Sequence, residues 1–275
     1  MALDLLRLDG KVALITGGGR GTGRAIAQTL AGVGATVVVT ARTKDEIDET
    51  VRLVAAEGGH ALAIEADVMK RSDHERVIGA IAERFGRLNI VVNNAGGSMT
   101  TAPFLKLSEE HFRHDFELNA MSAFNCTQLA TPLLLESGGG AVVNISSRAA
   151  SFAFRGRTHY GVAKAALEQL TRRMAQELAP DIRVNAIAVG PVVTSALLSG
   201  YAQGLDREAL IAQIPLGREG RVEEVGLAAL YLCSDHCFIT GEILHHNGGL
   251  QSGPDDHTPR LRAKIQASPF PSSEL

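Results

Sequence analysis

The stretch Lys11-Val-Ala-Leu-Ile-Thr-Gly-Gly-Gly-Arg-Gly-Thr-Gly23 decides the fold. It begins with an apolar run of strand length and ends in a cluster of glycines. From Gly21 onward the pattern becomes helical, since Ala25, Ile26 and Leu30 recur on one face. A buried strand followed by a glycine turn and an amphipathic helix is typical of the first half of a βαβ unit. The stretch therefore predicts a parallel sheet that is covered by helices.

The alternation of strands and helices continues along the chain. We predict an α/β fold, a single-domain, Rossmann-like, doubly wound parallel sheet of about seven strands flanked by helices. This domain spans residues 1–250, has a lid at about residues 194–215 and precedes a polar tail at residues 251–275. The predicted strands are residues 11–15, 36–40, 61–66, 88–92, 141–145, 183–188 and 243–246, and the predicted helices are residues 21–33, 43–58, 72–85, 108–136, 160–178 and 222–233.

Capping signals mark two helix starts. Thr43 precedes the second helix, and Ser72 precedes the third with Glu75 at the capping-box spacing. We therefore expect N-caps at Thr43 and Ser72. Pro132 lies in the long region at residues 108–136, where it can start or kink a second helical stretch.

The composition limits the class of protein. The 275 residues suffice for one large domain with a full core. Hydrophobic residues make up 45% and charged residues 21%, which is typical of a soluble globular protein. The net charge of −3 gives no reason to expect a nucleic-acid partner. No apolar run approaches the roughly 20 residues of a membrane helix, so we expect no membrane partner.

The termini and cysteines bear on the compartment. The start of the chain has no secretory h-region, and the 3 cysteines are too few for a disulfide framework. We expect a cytoplasmic protein.

The glycine turn between the first strand and the first helix is suited to a dinucleotide. Gly17, Gly21 and Gly23 follow the spacing Gly-x-x-x-Gly-x-Gly, and no Gly-Lys-Ser/Thr follows as in a P-loop. Glycines let the backbone approach a pyrophosphate, and the helix N-terminus offers free N–H groups. The alternative is a turn that binds nothing. The predicted cofactor-binding residues here are Gly17, Gly19, Arg20, Gly21, Thr22 and Gly23.

The end of the second strand indicates which cofactor is preferred. An acidic residue there would bond the ribose 2′-hydroxyl of NAD, but this chain has Ala41 followed by Arg42. Arg20 and Arg42 are suited to a 2′-phosphate. We therefore predict NADP, with NAD as the alternative because Arg42 can also be a solvated residue. Asp67, beside Val68 in the predicted cofactor site, either accepts a bond from the adenine amino group or is a turn residue.

Tyr160 and Lys164 are four residues apart, so on a helix the phenol and the ammonium share one face. A free tyrosine has a pKa of about 10 and is a poor acid or base near neutrality. A nearby ammonium favours the phenolate and lowers that pKa. The pair is then suited to exchange a proton with an alcohol or carbonyl oxygen. The alternative is a tyrosine at a helix edge beside a solvated lysine.

Taken in order, these motifs resemble the short-chain dehydrogenase/reductase family. The likeness covers roughly residues 8–250, and the order of several motifs is far more specific than any one of them. The motifs are residues 16–23, residues 93–96, Asn119, Ser146 with Ser147, Tyr160 and Lys164.

The resemblance implies a hydride transfer between nicotinamide and a carbonyl or alcohol carbon. Tyr160 would donate or accept the proton, and Ser147 would polarise the substrate oxygen, with Ser146 as the fallback. Lys164 would bond the nicotinamide ribose and lower the tyrosine pKa, and Asn119 would hold a water that links Lys164 to solvent. The implied catalytic residues are Asn119, Ser147, Tyr160 and Lys164, and the further cofactor-binding residues are Asn94, Ala95, Gly96, Tyr160, Lys164, Gly190, Val192 and Thr194.

The segment after the sixth strand departs from the family pattern. The family usually has Pro-Gly followed four residues later by Thr, whereas here Val189 takes the proline position and Pro191 follows Gly190. Thr194 still matches and is expected to bond the nicotinamide carboxamide. We therefore expect a changed backbone path rather than changed chemistry.

Two other clusters have several interpretations. Cys233 and Cys237, with histidines nearby, are spaced too loosely for a typical structural zinc site, so we predict no metal. Arg148, Arg155 and Arg157 precede the Tyr-x-x-x-Lys motif. They either face an anionic substrate, are solvated, or pair across a subunit contact.

The predicted function is that of an NADP-preferring oxidoreductase that acts on a small-molecule carbonyl or secondary alcohol. The alternatives are a catalytically silent NAD(P)-binding sensor or scaffold, and enoyl reduction or dehydration on the same fold. Leu197, Leu198 and Tyr201 in the lid either contact a partly apolar substrate or simply pack together. The resemblance also implies a homotetramer or homodimer joined through the helices at residues 108–136 and 160–178.

Overall fold

One seven-stranded sheet organises the chain, in the order β3-β2-β1-β4-β5-β6-β7. The structure is a computed structural model that describes residues 3–202 and 204–250, so the predicted tail at 251–275 lies outside the described residues. All strand pairs in the sheet are parallel, which confirms the predicted fold class. The strands are β1 Val12–Thr16, β2 Thr36–Ala41, β3 His60–Glu65, β4 Ile90–Asn93, β5 Gly140–Ser147, β6 Ile182–Val189 and β7 Ile243–His246.

Helices cover both faces of the sheet. Within the described ranges none is long and apolar enough to cross a membrane. The α-helices are α1 Gly21–Gly32, α2 Lys44–Ala56, α3 Arg71–Phe85, α4 Glu109–Phe116, α5 Ser122–Glu136, α6 Thr158–Leu178, α7 Ser195–Ala202, α8 Arg207–Gln213 and α9 Val222–Cys233.

The sheet separates two hydrophobic layers. Ile15 packs in one layer with Ile26 of α1, and Leu14 packs in the other with Leu134 of α5. Successive strand residues point to opposite faces, so all 5 residues of β1 are buried. Burial of one large aliphatic side chain contributes about 1.5–3 kcal/mol. The ends of the central strands are therefore held in fixed positions.

The predicted helix caps are partly wrong. Thr43 stands at the N-cap of α2, but its side chain makes no capping hydrogen bond. Helix α3 begins at Arg71 with Lys70 as its N-cap, so Ser72 lies inside the first turn. The Asp73 carboxylate accepts the N–H of Asp67 at 2.7 Å and closes the turn before the helix.

The long helical region at residues 108–136 is interrupted by a π-helical turn, Glu117–Met121, between α4 and α5. The helical region is therefore broken at this turn and not at Pro132, which lies inside α5. The turn buries Asn119, which is 1% exposed. Single π-turns are frequent at functional sites, and this one places a predicted catalytic side chain.

The switch point of the sheet lies at β1, which has β2 on one side and β4 on the other. Connections from these strands run to opposite sides and leave a crevice at their carboxyl ends. The glycine turn follows β1, and the segment that begins at Asn94 follows β4. The fold therefore places both predicted cofactor segments at one edge.

Candidate active site

The glycine turn after β1 forms a cradle that side chains would fill. Gly17 has φ of +64°, a left-handed conformation that favours glycine. A Cβ at Gly23 would lie 2.2 Å from the Gly17 carbonyl oxygen, so the first turn of α1 closes against the glycine turn only without a side chain. The turn therefore requires glycine at these positions, and its role in binding a dinucleotide pyrophosphate stays a prediction.

Asn94 connects the glycine turn to the end of β4. Its Nδ2 donates to the carbonyl oxygens of Thr16 and Gly17, both at 3.0 Å. The Thr16 hydroxyl accepts the N–H groups of Asn94 and Ala95, both at 3.1 Å. Asn94 therefore braces the two strand ends, and its side chain is used within the protein.

Tyr160 and Ser147 meet above the carboxyl end of β5. The pKa of the Tyr160 phenol lies above its ordinary value because burial disfavours the phenolate. Interaction with the Ser147 hydroxyl and the positive charge of Arg157 oppose this rise, and the Asp115 carboxylate adds to it. The lysine expected to lower this pKa is not the cation that does so here.

Lys164 is buried one helical turn beyond Tyr160, with its Nζ 5.9 Å from the centre of the phenol ring. The Nζ donates to the carbonyl oxygen of Ile145 at 2.8 Å. Burial lowers its pKa to about 8, although the charges of Glu168 and Asp115 oppose this change. The lysine is thus within reach of its neutral form near physiological pH.

Asn119 faces the protein interior, where it is 1% exposed. Its Oδ1 accepts the Gly97 N–H at 3.0 Å, and its Nδ2 donates to the carbonyl oxygens of Gly97 and Asp115, both at 2.7 Å. A Cβ at Gly96 would lie 2.7 Å from Asn119 Oδ1 and 3.0 Å from Lys164 Nζ. Gly96 therefore lets the asparagine and the lysine approach the same point of the crevice.

The chain matches a family profile described as Enoyl-(Acyl carrier protein) reductase over residues 17–251. An uncharacterized oxidoreductase of Mycobacterium tuberculosis is 43% identical over 252 residues, which are 91% of this chain and 95% of that protein. The chain belongs to the short-chain dehydrogenase/reductase family. It is an oxidoreductase of that family.

Characterised members of the short-chain dehydrogenase/reductase family are also similar. A 3-oxoacyl-[acyl-carrier-protein] reductase of Thermotoga maritima is 34% identical and is matched over 89% of this chain and 99% of its own. A solved 7 alpha-hydroxysteroid dehydrogenase, complexed with NADH and 7-oxo glycochenodeoxycholic acid, superposes with a TM-score of 0.85 at 37% identity. That likeness covers 91% of this chain and 98% of the other. The family therefore implies a nicotinamide cofactor.

Arg20, Arg42 and Asp67, which are predicted to bind the adenosine end of the cofactor, differ in the contacts that they make within the protein. Arg20 lies 3.5 Å from a carboxylate oxygen of Glu46, and its side chain is 69% exposed. Arg42 is exposed and makes no ion pair with any residue in the described ranges. One Asp67 oxygen accepts the Met69 N–H at 3.1 Å, which supports the interpretation of Asp67 as a turn residue.

Gly190, Val192 and Thr194, the predicted cofactor residues after β6, make close contacts within the protein. A Cβ at Gly190 would lie 2.7 Å from the Asn247 Cα, so glycine is needed where the end of β6 passes this segment. Val192 is buried and pairs with Gly220 in an isolated parallel bridge. Thr194 is beside the glycine turn, with its Cγ2 3.5 Å from the Cβ position of Gly21.

Val68, the predicted cofactor residue beside Asp67, is also buried, and its carbonyl oxygen lies 2.9 Å from His74 Nε2.

Two residues that the sequence analysis missed support the glycine turn from behind. Arg24 Nη2 donates to the Gly19 carbonyl oxygen, and its Nε donates to the Thr50 hydroxyl at 3.1 Å. The Thr50 hydroxyl in turn donates to the Gly18 carbonyl oxygen at 2.9 Å. The sequence shows an arginine near the start of α1, but it does not show that Thr50 on α2 is its partner.

The lid segment is held by one buried carboxylate. Glu219 accepts a hydrogen bond from the Tyr201 hydroxyl on α7 and two from Arg207 on α8, at 3.0 and 2.6 Å. Burial disfavours the ionised Glu219, but these bonds and the Arg207 charge outweigh it and hold the pKa of Glu219 below its usual value. Tyr201, Arg207 and Glu219 together connect α7 to α8, and we call these three residues the latch. Tyr201 has this role in addition to any role in lining a substrate site.

The arginine cluster before Tyr160 is divided between two environments. Arg148 is buried, with its guanidinium 5.1 and 4.3 Å from the ring centres of Phe152 and Phe154. Arg157 is exposed and lies 5.9 Å from the ring centre of Tyr160. The part of the chain that the structure describes offers neither of them a carboxylate within ion-pair distance.

Proposed function

We propose that the chain is an NADP-preferring oxidoreductase that transfers a hydride between the nicotinamide and a carbonyl or secondary alcohol carbon. The observation that supports this most is the convergence of Ser147 with Tyr160, and of Lys164 with Asn119, at the carboxyl-terminal edge of the sheet. The bound cofactor would supply or accept the hydride. The residues of the chain would hold the substrate oxygen and move its proton.

Tyr160 is the proposed proton donor in reduction and the acceptor in oxidation. Burial keeps the pKa of the phenol above its ordinary value, so at neutral pH the tyrosine carries the proton that reduction needs. Ser147, whose hydroxyl lowers the pKa of the phenol, would polarise the same substrate oxygen. Lys164 and Asn119 lie behind Gly96, where they can bond the nicotinamide ribose and hold a relay water.

Arg42 is the residue that we propose selects NADP. It follows Ala41 at the end of β2 and is exposed, whereas Arg20 already has the Glu46 carboxylate nearby. The preference is tested by titrating NADPH and NADH against the wild type and Arg42→Gln. Loss of a charge-assisted bond of about 1.5–3 kcal/mol predicts at least a tenfold weaker NADPH affinity with NADH unchanged.

Arg52→Gln is the matched control, because Arg52 is an exposed arginine on α2 that pairs with Glu49. It should keep the wild-type ratio of the two affinities. Equal binding of NADPH and NADH by the wild type would reject the NADP assignment.

The substrate class is tested with a panel that follows the chemistry of the relatives. The panel contains an oxo bile acid, a 3-oxoacyl thioester, simple ketones and an enoyl thioester, each with NADPH. Loss of reduced nicotinamide absorbance with any ketone supports the proposal. Turnover of the enoyl thioester alone would favour enoyl reduction, and no turnover together with tight cofactor binding would favour a silent sensor.

We also propose a cytoplasmic homodimer or homotetramer joined through α4, α5 and α6. Phe112, Leu135 and Val162 on these helices are large hydrophobic residues that are 37%, 47% and 44% exposed. Burial of such side chains in a subunit contact would support assembly. Light scattering on the purified chain gives its mass, and a monomer at micromolar concentration would contradict the proposal.

A further inference from the structure

A buried acid and a buried imidazole lie behind the proposed proton-transfer site. Asp115 on α4 and His159 on α6 are both 0% exposed, and Asp115 Oδ2 lies 3.3 Å from His159 Nε2. Removing a carboxylate from water costs several kcal/mol unless a partner compensates. The proposed mechanism uses neither residue.

The two side chains clamp the segment that follows β4. Asp115 Oδ1 accepts the Met99 N–H at 2.9 Å, and His159 Nε2 lies 3.2 Å from the Ser98 hydroxyl. Ser98 also donates to the Thr100 carbonyl oxygen at 2.9 Å. The segment at residues 98–100 is thus fixed from α4 and from α6 at once. Gly96 and Gly97, which contact Lys164 and Asn119, immediately precede it.

The same pair contacts the proposed catalytic residues through the backbone. The Asp115 carbonyl oxygen accepts Asn119 Nδ2 at 2.7 Å across the π-helical turn. His159 is the residue before Tyr160, so a shift of its ring would move the start of the phenol side chain. A displacement of about 1 Å at a reacting group can cost on the order of 10²-fold in rate.

We propose that Asp115 and His159 form a buried positioning pair that aligns Asn119, Tyr160 and the segment after β4 for proton transfer. The proposal rests on the proposed role of Tyr160. Neither residue of the pair touches a reacting atom, so they are positioning residues rather than catalytic ones.

The pair also contributes to the electrostatics of the site. The Asp115 carboxylate raises the pKa of Tyr160 and opposes the burial-driven fall in the pKa of Lys164. Such a charge acts strongly because the surroundings exclude water. The other charged or titratable groups that face this region are Arg157 beside Tyr160, Glu168 beyond Lys164, His114 at 3.2 Å from Asp115 Oδ1, and His111 with its ring centre 6.4 Å from that of His159.

The decisive variant is Asp115→Asn, which keeps the shape and the acceptor for Met99 but removes the charge. Oxidation of an alcohol needs the Tyr160 phenolate, so its rate rises as pH passes through the phenol pKa. Without the Asp115 charge, the midpoint of this rise in kcat/KM should move to lower pH. Because Asp115 is buried, the shift should persist at high salt. Glu110→Gln, an exposed acid on the same helix, is the control and should leave the profile unchanged.

His159→Gln tests alignment separately from charge. We expect kcat to fall about tenfold or more at every pH while the cofactor affinity stays near the wild-type value, since binding precedes proton transfer. The double variant should lose less than the product of the two single losses, as expected for residues in contact. If Asp115→Asn does not fold, the kcat and affinity of His159→Gln decide the question.

Three outcomes would overturn the inference. One is an Asp115→Asn profile that coincides with the wild type, and another is a His159→Gln variant with full kcat. A variant that loses only thermal stability would indicate a structural role and also contradicts the proposal. Failure of the proposed function looks different, because then the wild type itself would reduce no ketone in the panel.

Discussion

At the scale of single residues, the pKa of one phenol controls the proposed chemistry. Burial raises the pKa of Tyr160, while the Ser147 hydroxyl and the Arg157 charge lower it and the Asp115 charge raises it. Lys164, which the i,i+4 spacing places on the same face, is itself buried and bonds a backbone carbonyl. Its proposed contribution therefore comes through the cofactor ribose, while Arg157 provides the nearby positive charge.

Replacing Arg157 by Gln should raise the pKa of Tyr160, because a charge that lowers it is removed. The midpoint of the rise in alcohol oxidation then moves to higher pH, opposite to the effect of Asp115→Asn. The shift should shrink in high salt, since Arg157 is exposed. Arg155→Gln, two residues away and also exposed, is the control for a change of loop charge. Equal shifts in both variants would mean that the charge over the Tyr160 ring has no specific effect.

At the scale of elements, the packing of α1 against the glycine turn decides whether the cofactor binds. Gly23→Ala would place a methyl group 2.2 Å from the Gly17 carbonyl oxygen. The turn must then open, which we expect to cost about 1–3 kcal/mol in stability and to weaken cofactor affinity by at least tenfold. Isothermal titration with NADPH and thermal unfolding measure the two effects.

Gly32→Ala in the same helix is the control for the glycine substitution. Nothing lies within 4 Å of its Cβ position, and the residue is exposed. Alanine there should stabilise the helix by up to about 1 kcal/mol and leave the cofactor affinity unchanged. Wild-type affinity in Gly23→Ala would refute the close contact in the turn.

The lid elements depend on Glu219, which connects α7 and α8 through Tyr201 and Arg207. Glu219→Gln removes the charge that both partners share, so the lid should open more often and limited proteolysis within residues 195–215 should become several-fold faster. Because the folded-state pKa of Glu219 is depressed, the wild-type latch contributes stability above the ordinary glutamate pKa of about 4.3. That contribution is lost as pH falls through the lower folded value. Glu208→Gln, an exposed neighbour on α8, should cleave at the wild-type rate, and an equally protected Glu219→Gln would contradict the latch.

At the scale of the whole molecule, the sheet and its switch point could be predicted from the alternation of apolar strands and amphipathic helices. Parallel strands end at one edge, so the clusters after β1, β4 and β5 had to converge there. The side chains that hold the site residues in place could not be predicted in this way. Arg24 meets Thr50, and Asp115 meets His159, only because separate helices pack side by side.

Local competition explains the missed helix start. Ser72 had a capping pattern, but the Asp73 carboxylate binds the preceding turn and α3 starts earlier. Which of two neighbouring side chains binds that turn depends on the local backbone path, which no spacing rule identifies. Arg20 lies near Glu46 on α2, and its role as a phosphate ligand stays a prediction.

The most direct test of the account is Tyr160→Phe, which removes one hydroxyl and keeps the ring. General acid–base catalysis contributes about 10²–10⁴-fold, so kcat for ketone reduction should fall by that factor. NADPH affinity and the unfolding temperature should stay near the wild-type values, because the glycine turn and Lys164 are untouched. If Tyr160→Phe reduced the ketone at the wild-type rate, Tyr160 would not be the proton donor and the proposed mechanism would be wrong.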